Sequence, residues 1–243
     1  MAIAASALVR KLNRFLPLDQ AELEALGRLE RGRRTVPADT DLVHERQTEH
    51  AAFILEAGWA FAYKMLPNGN RQVIDFALPG DFMGLRSVLL RTSDHSFAAV
   101  TNIVVAEISA RQMIETFQRL PRLGLAVLWA ASRDEAMVVE HLVSVGRRDA
   151  LERTAHLLVE LGLRLELVGL GTATSYACPI NQYHLADALG LTAIHVNRVL
   201  RKLREQHLVT FRDSRVEVHD LEGLRRLADY HGGYLDQSHE PEV

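Results

Sequence analysis

The stretch HLADALGLTAIHVNRVLRKLREQHLVTFRDSRVEVHD, residues 184–220, decides the fold. Its first part has the apolar spacing of a short helix, which Gly190 ends because glycine readily takes the left-handed conformation. Thr192 is a typical N-cap residue and starts a second helix. The apolar residues of the second helix recur at i, i+3, i+4 and i+7, as Val196, Val199, Leu200 and Leu203. Two short helices joined at a glycine predict a helix-turn-helix.

The second helix and the segment after it are basic on the side away from the apolar stripe. Six basic residues stand against two acidic ones between Thr192 and Arg215. Leu208–Phe211 and Val216–Val218 alternate like a β-hairpin around a polar turn, which is typical of a wing. Local positive charge suits a phosphate backbone, and a helix of this size fits the major groove. The pattern predicts a DNA-binding domain with its recognition helix at about Thr192–Gln206.

The N-terminal half follows a different pattern. Residues 1 to about 31 have helical apolar spacing, whereas short β-branched and aromatic runs alternate with turns from Arg33 to about Ser109. Residues Pro67–Asn70 predict a hairpin turn, since an Asn-Gly pair tolerates positive φ at both central positions. These features predict helices followed by a small antiparallel barrel or sandwich.

The helical period returns after Pro121 and lasts roughly 24 residues, about 36 Å. One stripe has the a/d spacing of a coiled coil and predicts pairing with a second copy through Leu128, Ala131, Glu135, Val138, Leu142 and Val145. The other stripe is expected to face the barrel and comprises Leu125, Trp129, Ser132, Ala136 and Val139. A helix buried within a monomer is the alternative. Glu135 is either a protonation switch at the seam or a side chain that tilts out to Arg133 or solvent.

These patterns predict four segments: a sensor domain at 1–121, a dimerisation helix at 122–147, a DNA-binding domain at 148–232 and a mobile tail at 233–243. Within the third segment we expect a helix at Leu151–Leu167, a loop at Gly169–Ser175, a short strand at Tyr176–Ile180 and an N-cap at Asn181.

Composition narrows the function classes. The 243 residues carry a net charge of −3 and one cysteine, Cys178, so a disulfide framework and a cysteine-bound iron–sulfur cluster within one chain are excluded. A reducing cytoplasmic setting fits. The sequence has no apolar run near the 18–20 residues of a membrane span, and its start is typical of an amphipathic helix, not a signal peptide. Since it has no nucleophile–base set, P-loop or metal motif, we do not expect an enzyme.

The order of barrel, long helix and winged helix resembles the cyclic-AMP receptor protein/FNR superfamily of bacterial transcription regulators. LPGDFMG at Leu78–Gly84 and the run DALGLTAIHVNRVLRKL carry the resemblance, which covers nearly the whole chain. It implies an α+β fold with a cyclic-nucleotide-binding-like β-barrel (jelly roll), a long dimerisation helix and a C-terminal winged helix-turn-helix. It also implies a homodimer that binds palindromic promoter sites in double-stranded DNA and contacts RNA polymerase, with Gly169–Ser175 as the polymerase loop by family position.

The resemblance leaves the effector open. It implies a ligand pocket formed by Gly80, Gly84, Leu85, His95, Ser96, Val138 and Val139. Cyclic-nucleotide-binding members carry a Glu at the position of Leu85 and an Arg at that of His95, and only Ser96 matches. An underpaired buried phosphate costs about 3–5 kcal/mol, which argues against cyclic AMP, although a protonated His95 would recover part. The alternatives are haem, held by His44, His50 or His95, and an unidentified or absent ligand.

The resemblance also implies roles on the recognition helix. Arg198 aligns with the family's base-reading arginine, which binds guanine through two hydrogen bonds. Asn197 could read adenine or contact a phosphate, while Ala193 and Ile194 suit thymine methyl groups, so the operator should differ from that of the cyclic-AMP receptor protein. The remaining expected DNA contacts, chiefly to phosphates, are Gln182, Thr192, His195, Arg201, Arg212 and Arg215. The competing functions are an enzyme with a regulatory domain and a barrel module that binds protein instead of DNA.

Overall fold

A computed structural model describes residues 5–48 and 50–235. The fold is α+β, and the chain divides into two compact units. Of the described residues, the N-terminal unit comprises 5–48, 50–63, 76–136 and 235, and the C-terminal unit comprises 64–75 and 137–234.

Two short helices open the N-terminal unit, as their apolar spacing predicts. Helix α1 spans Ala7–Phe15 and α2 spans Gln20–Leu29. Asp19 caps α2, since its carboxylate accepts the Glu22 N–H and the Glu22 carboxylate accepts the Asp19 N–H. The predicted helical pattern also covers residues 1–4, which lie outside the described residues.

Eight strands follow among the described residues 33–48 and 50–108, which confirms the predicted antiparallel β domain. They are β1 Arg33–Val36, β2 Asp41–Val43, β3 Ala52–Ala57, β4 Ala60–Met65, β5 Arg71–Ala77, β6 Phe82–Met83, β7 Ser96–Ala99 and β8 Ile103–Ile108. They form two antiparallel sheets with the orders β1-β8-β3-β6 and β2-β7-β4-β5. The predicted hairpin turn joins β4 and β5, with positive φ at Gly69 and not at Asn68. The Asn68 side chain instead accepts a hydrogen bond from the Asn70 N–H.

Helix α3 spans Ala110–Arg119 and was not predicted as a separate element. Its boundary is set by a capping box between Ser109 and Gln112, a signal that is visible in the sequence.

Helix α4 spans Pro121–Arg147, as predicted for the long helix. Its buried side differs from the predicted barrel-facing stripe and consists of Leu123, Ala126, Val127, Ala130 and Met137. The prediction was wrong for Ser132 and Val139, which are exposed. The ring of Trp129 does pack inward and stacks on Phe15 of α1, with centroids 4.8 Å apart.

The C-terminal unit is a winged helix-turn-helix. Its elements are α5 Ala150–Leu167, β9 Gly171–Thr172, β10 Ser175–Ala177, α6 Gln182–Leu189, α7 Ala193–Glu205, β11 Val209–Arg212, β12 Arg215–Val218 and α8 Leu221–Leu227. The strands form one sheet with the order β11-β12-β10-β9. The segment predicted as a loop from Gly169 to Ser175 therefore contains β9, because residues 171–172 pair with 175–176 in a tight hairpin. The short helix α8 was not predicted.

The segment after α8 packs on α5. Gly232–Tyr234 forms a 3-10 turn, and the Tyr234 hydroxyl donates to the Glu160 carboxylate at 2.7 Å. The ring of Tyr234 also stacks on His156. The predicted mobile tail begins within this turn, and its residues 236–243 lie outside the described residues.

Candidate nucleic-acid interface

Side-chain caps define the helix-turn-helix. The Asn181 carboxamide oxygen accepts the N–H groups of Tyr183 and His184 at the start of α6. Gly190 ends α6 in the left-handed conformation, with φ of 61°. The Thr192 hydroxyl then accepts the His195 N–H at 3.2 Å and starts α7. The predicted cap positions are therefore confirmed.

Helix α7 has one buried and one exposed face. Val196, Val199 and Leu203 are buried against the rest of the C-terminal unit. The exposed face carries Thr192, Ile194, His195, Asn197, Arg198, Arg201, Lys202 and Arg204. Ile194 lies on the same face and is 75% exposed. The exposed face is sized and charged for a DNA groove.

The basic side chains of this face are free to bind a partner. Within residues 5–48 and 50–235, the side chains of Arg198, Arg201 and Lys202 form no hydrogen bond or ion pair. Guanidinium groups without an internal carboxylate keep all their donors for an incoming phosphate or base edge.

Other residues expected to contact DNA are placed less openly. The Thr192 hydroxyl already caps α7, and Gln182 and Ala193 are half-buried. Tyr183, which sequence reasoning missed, is 62% exposed in the first turn of α6. Its exposure could not be inferred from α6 periodicity alone, because an aromatic residue in a short helix usually indicates core.

The wing contains two arginines in different states. Arg212 and Arg215 face each other across the β11–β12 pairing, and the turn between them, Asp213–Ser214, has positive φ at both residues. Arg215 Nε lies 2.5 Å from the Glu217 carboxylate, and its Nη2 donates to the Ser175 hydroxyl at 2.7 Å. The hydrogen bonds that the Arg215 guanidinium and the Ser175 hydroxyl donate to the Glu217 carboxylate lower the pKa of Glu217.

The Arg212 guanidinium, in contrast, forms no hydrogen bond or ion pair with any residue of the described chain. Of the two predicted phosphate contacts on the wing, Arg212 is therefore the one with unused donors.

The predicted dimer stripe of α4 is accessible along its length. Leu128 and Leu142 are 62% and 71% exposed, and Glu135 is exposed between them. The other members of the stripe, Ala131, Val138 and Val145, are half-buried. Large apolar side chains with this exposure usually mark a surface that binds another protein.

The glycine-framed segment Leu78–Gly84 is held by a buried ion pair. Gly80 and Gly84 take positive φ, and a side chain on Gly80 would approach the Ala7 backbone to 2.8 Å. The Lys11 ammonium of α1, 1% exposed, lies 2.7 Å from the Asp81 carboxylate. Asp81 also accepts the Leu78 N–H. The segment is thus locked by internal partners, with α1 packed closely on Gly80.

The residues present do not fit a cyclic nucleotide. His95 is buried, its Nδ1 lies 2.7 Å from the Asp94 carboxylate, and its ring packs on Phe97. The Ser96 hydroxyl accepts the Glu45 N–H at 2.9 Å. Leu85 supplies no carboxylate for a ribose. A buried phosphate here would meet an acidic neighbour and no guanidinium from the His95 position, which is unfavourable.

The remaining candidate ligand residues do not assemble into a metal site. His44 is exposed, and His50 is half-buried with its Nε2 2.6 Å from the Ser87 carbonyl. Across the described residues, no group of three His, Cys, Asp or Glu side chains is arranged to hold a metal ion. Burial raises the pKa of the Cys178 thiol to about 12. None of the helices in the described chain has the length and apolarity needed to cross a membrane.

Comparisons with known proteins agree with both halves of the structure. Residues 152–227 match the Crp-like helix-turn-helix domain, and residues 33–120 match the cyclic nucleotide-binding domain. The nitrogen fixation regulation protein FixK of Rhizobium meliloti is 35% identical over 170 residues, covering 69% of this chain and 73% of that protein. The transcriptional activatory protein AadR of Rhodopseudomonas palustris is 31% identical over 215 residues, covering 87% and 86%.

A solved structure shares the fold. The structure of FixK2 from Bradyrhizobium japonicum superposes with a TM-score of 0.73 at 23% identity, covering 82% of this chain and 98% of that one.

Proposed function

The chain belongs to the Crp/Fnr family of DNA-binding transcription regulators, and on that premise we propose that it acts as a homodimer on palindromic operators with α7 as the recognition helix. The observation that carries the proposal is the exposed basic face of α7, whose arginines have no internal partner in the described chain. Positive charge concentrated on one exposed helix face, with no internal carboxylate to neutralise it, suits phosphates and base edges.

The residues of α7 that are expected to contact DNA have the following proposed roles. Arg198 reads a guanine through two hydrogen bonds, and Asn197 reads an adenine or contacts a phosphate. Ile194, with 75% of its side chain exposed, contacts a thymine methyl group together with Ala193. Phosphate contacts come from His195, Arg201 and, on the wing, Arg212. Gln182 and Thr192 contact the DNA backbone. Gln182 does so with the exposed part of its side chain, and Thr192 with the donor of the hydroxyl that caps α7.

The homodimer forms through α4. Its exposed apolar residues Leu128, Val139 and Leu142 would be covered by the same helix of a second copy, as a two-fold axis requires. Two recognition helices then lie about one helical turn of DNA apart, roughly 34 Å, which matches a palindromic site. By sequence we divide the chain into a sensor domain at 1–121, a dimerisation helix at 122–147 and a DNA-binding domain at 148–232, although residues 64–75 of the first segment pack within the C-terminal unit.

The regulator is proposed to activate transcription by contact with RNA polymerase. AadR is named a transcriptional activatory protein, and 31% identity over most of both chains supports the same role here. The hairpin within Gly169–Ser175 is the proposed polymerase contact, by its position in the family. The protein works where bacterial DNA is found, in the cytoplasm, and we assign it no enzymatic activity.

The sensor domain works without cyclic AMP in this proposal. The support is the poor fit at Leu85, His95 and Ser96, where internal contacts replace the expected carboxylate and guanidinium. The single cysteine supplies no iron–sulfur ligand set. We therefore expect the protein to bind its operator with the same affinity whether or not cyclic AMP is added.

Fluorescence anisotropy with labelled promoter fragments tests the function. The full-length protein is titrated at about 50 mM and 200 mM salt, with a scrambled duplex of equal length as the control. Specific binding predicts a strong preference for one fragment and, if six or more phosphates are contacted, a loss of affinity of about a thousandfold or more between the two salt concentrations. Equal, weak binding to every duplex at both salt concentrations would contradict the proposal and favour a protein-binding module.

A further inference from the structure

A hairpin of the chain grips the first helix of the helix-turn-helix. Residues 64–75, from the end of β4 to β5, belong to the C-terminal unit. Arg71 directs both Nε and Nη2 to the Asp187 carboxylate of α6, each at 2.8 Å. Two donors on one carboxylate oxygen restrict the orientation of both side chains more than a single contact does.

The neighbouring residue holds the same end of α6. Gln72 Nε2 donates to the Ala188 carbonyl at 3.1 Å. Ala188 lies in the last turn of α6, where carbonyls have no partner inside the helix. Gln72 therefore acts as an external C-terminal cap. We refer to Arg71 and Gln72 with their two partners on α6 as the clamp.

Residues of α5 and α4 hold the strand that carries Arg71 and Gln72. The Asp75 carboxylate accepts a hydrogen bond from Arg164 Nη1 of α5 at 3.0 Å, and Arg164 is buried. His141 of α4 lies against the backbone of Val73 and Ala188. Arg71 and Gln72 thus extend from a strand that is anchored within the same unit, which makes them a rigid support for α6.

The supported end of α6 is the end that leads into α7. Only the turn Gly190–Thr192 separates the two helices, and Leu185 and Val196 are buried in the core that they share. A rotation of α6 about its axis would carry α7 with it. The opposite, N-terminal end of α6 is open, since Tyr183 is 62% exposed. The clamp therefore leaves the DNA-facing surface clear.

We infer that Arg71 is a positioning residue for DNA binding, which acts through Asp187 to hold α6 and α7 in the orientation that reads the operator. The inference rests on the proposed DNA-binding function. It differs from a direct role of Arg71 at DNA, because its guanidinium is already engaged by a carboxylate of the same unit.

Opposite charge changes provide the critical test. Arg71→Ala removes a positive charge and Asp187→Ala removes a negative one, so plain electrostatics would weaken DNA binding in the first and strengthen it in the second. Positioning predicts that both variants bind the operator about threefold to fivefold more weakly, because both lose the same contact. The charge swap R71D/D187R should restore the affinity to within about twofold of the wild type.

The experiment is anisotropy with the full-length protein and the operator that the wild type prefers. Arg111→Ala is the matched control, since Arg111 pairs with Glu115 on the exposed surface of α3; it should leave the affinity unchanged. Tighter binding by Asp187→Ala, or a folded charge swap that stays as weak as the single variants, would overturn the inference. Thermal melting of each variant checks that it is folded.

A second measurement keeps the inference separate from the DNA-binding proposal. Amide hydrogen exchange without DNA should become faster at residues 185–191 in Arg71→Ala and return to the wild-type rate in the charge swap. Unchanged exchange in Arg71→Ala overturns the clamp even if the wild type binds DNA. A wild type that binds no operator while the exchange responds as expected would contradict the proposed function, and with it the role of Arg71 in DNA binding, leaving only a structural contact.

Discussion

Two places in the molecule carry polar groups of the kind that bind phosphate. In one place these groups are exposed and unpaired among the described residues, and in the other they are buried and already have partners. On α7, Arg198, Arg201 and Lys202 are exposed and have no internal partner in the described chain. In the N-terminal unit, His95 and Ser96 are buried and engaged by Asp94 and Glu45. The polar groups of the first place are available to an outside anion, whereas those of the second are engaged by other residues of the fold.

The difference shows how a fold and a ligand site can separate. A buried polar group must have a partner, because desolvation without one costs about 1–3 kcal/mol. If the expected guanidinium and carboxylate are absent, as at His95 and Leu85, internal contacts replace the ligand and the domain keeps its shape. An exposed arginine on α7 has no such requirement, so it can remain free until DNA arrives.

The largest expected effect comes from disrupting the proposed dimer, because the exposed face of α7 should bind the operator only when two copies of the chain are paired. Leu142→Asp places a charge in each half of the proposed dimer seam and should weaken the dimer by about 3–5 kcal/mol, because the charges are buried without partners. Sedimentation velocity should show a monomer that no longer binds the operator. Leu89→Asp is the control, since Leu89 is 70% exposed and Leu142 is 71% exposed; a dimer that persists in Leu142→Asp would refute the seam.

The C-terminal unit also contains a buried histidine, His156, which is expected to make its stability depend on pH. Burial and the nearby Arg148 lower the pKa of His156 to about 4. The unfolded chain binds its proton near pH 6.5, so the unfolded state gains protons first and stability falls as the pH drops from 6.5 to 4. The loss is at most about 3 kcal/mol.

Denaturant unfolding at pH 7 and pH 4 measures this loss. His156→Phe keeps the aromatic contacts with Tyr230 and Tyr234 and should remove that part of the pH dependence. His231→Gln changes an exposed histidine and serves as the control. The same pH dependence in His156→Phe and the wild type would exclude His156 as its source.

Arg198→Ala tests the exposed face of α7. Loss of a guanidinium that binds guanine should cost about 1–3 kcal/mol of operator binding and relax the preference at one base pair of each half-site. Anisotropy with single-base operator variants measures both effects. An equal loss on all sequences would reduce Arg198 to a backbone contact.

The two arginines of the wing provide a smaller comparison between free and engaged groups. Arg212→Ala should reduce the slope of log affinity against log salt by about 1, as the loss of one phosphate contact predicts. Arg215→Ala should have less effect, since Arg215 is held by Glu217 and Ser175. Salt titrations of both variants decide the order, and a larger change in Arg215→Ala would reverse the assignment.

The smallest expected effect is that of cyclic AMP, which should neither bind the protein nor change its affinity for the operator. Isothermal titration with cyclic AMP should give no binding heat, and operator affinity should not change with the nucleotide present. Saturable binding that shifts operator affinity would show that the internal contacts of His95 and Ser96 yield to a ligand.

Much of the C-terminal unit could be predicted, because its signals are local. Gly190, Thr192 and Asn181 each act within three residues of their position, so sequence spacing reveals them. The Ser109–Gln112 capping box is equally local and shows that α3 was also predictable.

Other features depend on contacts between distant residues. The clamp joins Arg71 to Asp187 over 116 positions, and Arg215 is engaged by Ser175 over 40. The buried side of α4 differs from the prediction at Ser132 and Val139, because two apolar stripes on one helix do not say which neighbour each will meet. No periodicity in one sequence contains this information.

The most direct test is selection of bound sequences from a random pool of about 30-bp duplexes by the purified full-length protein, with no nucleotide added. We predict an inverted repeat whose half-sites are centred one helical turn apart, about 10–10.5 bp, with one guanine preference in each half that Arg198→Ala abolishes. A pool without enrichment, or a single unrepeated site that is insensitive to Arg198, would contradict a dimer that reads DNA through α7.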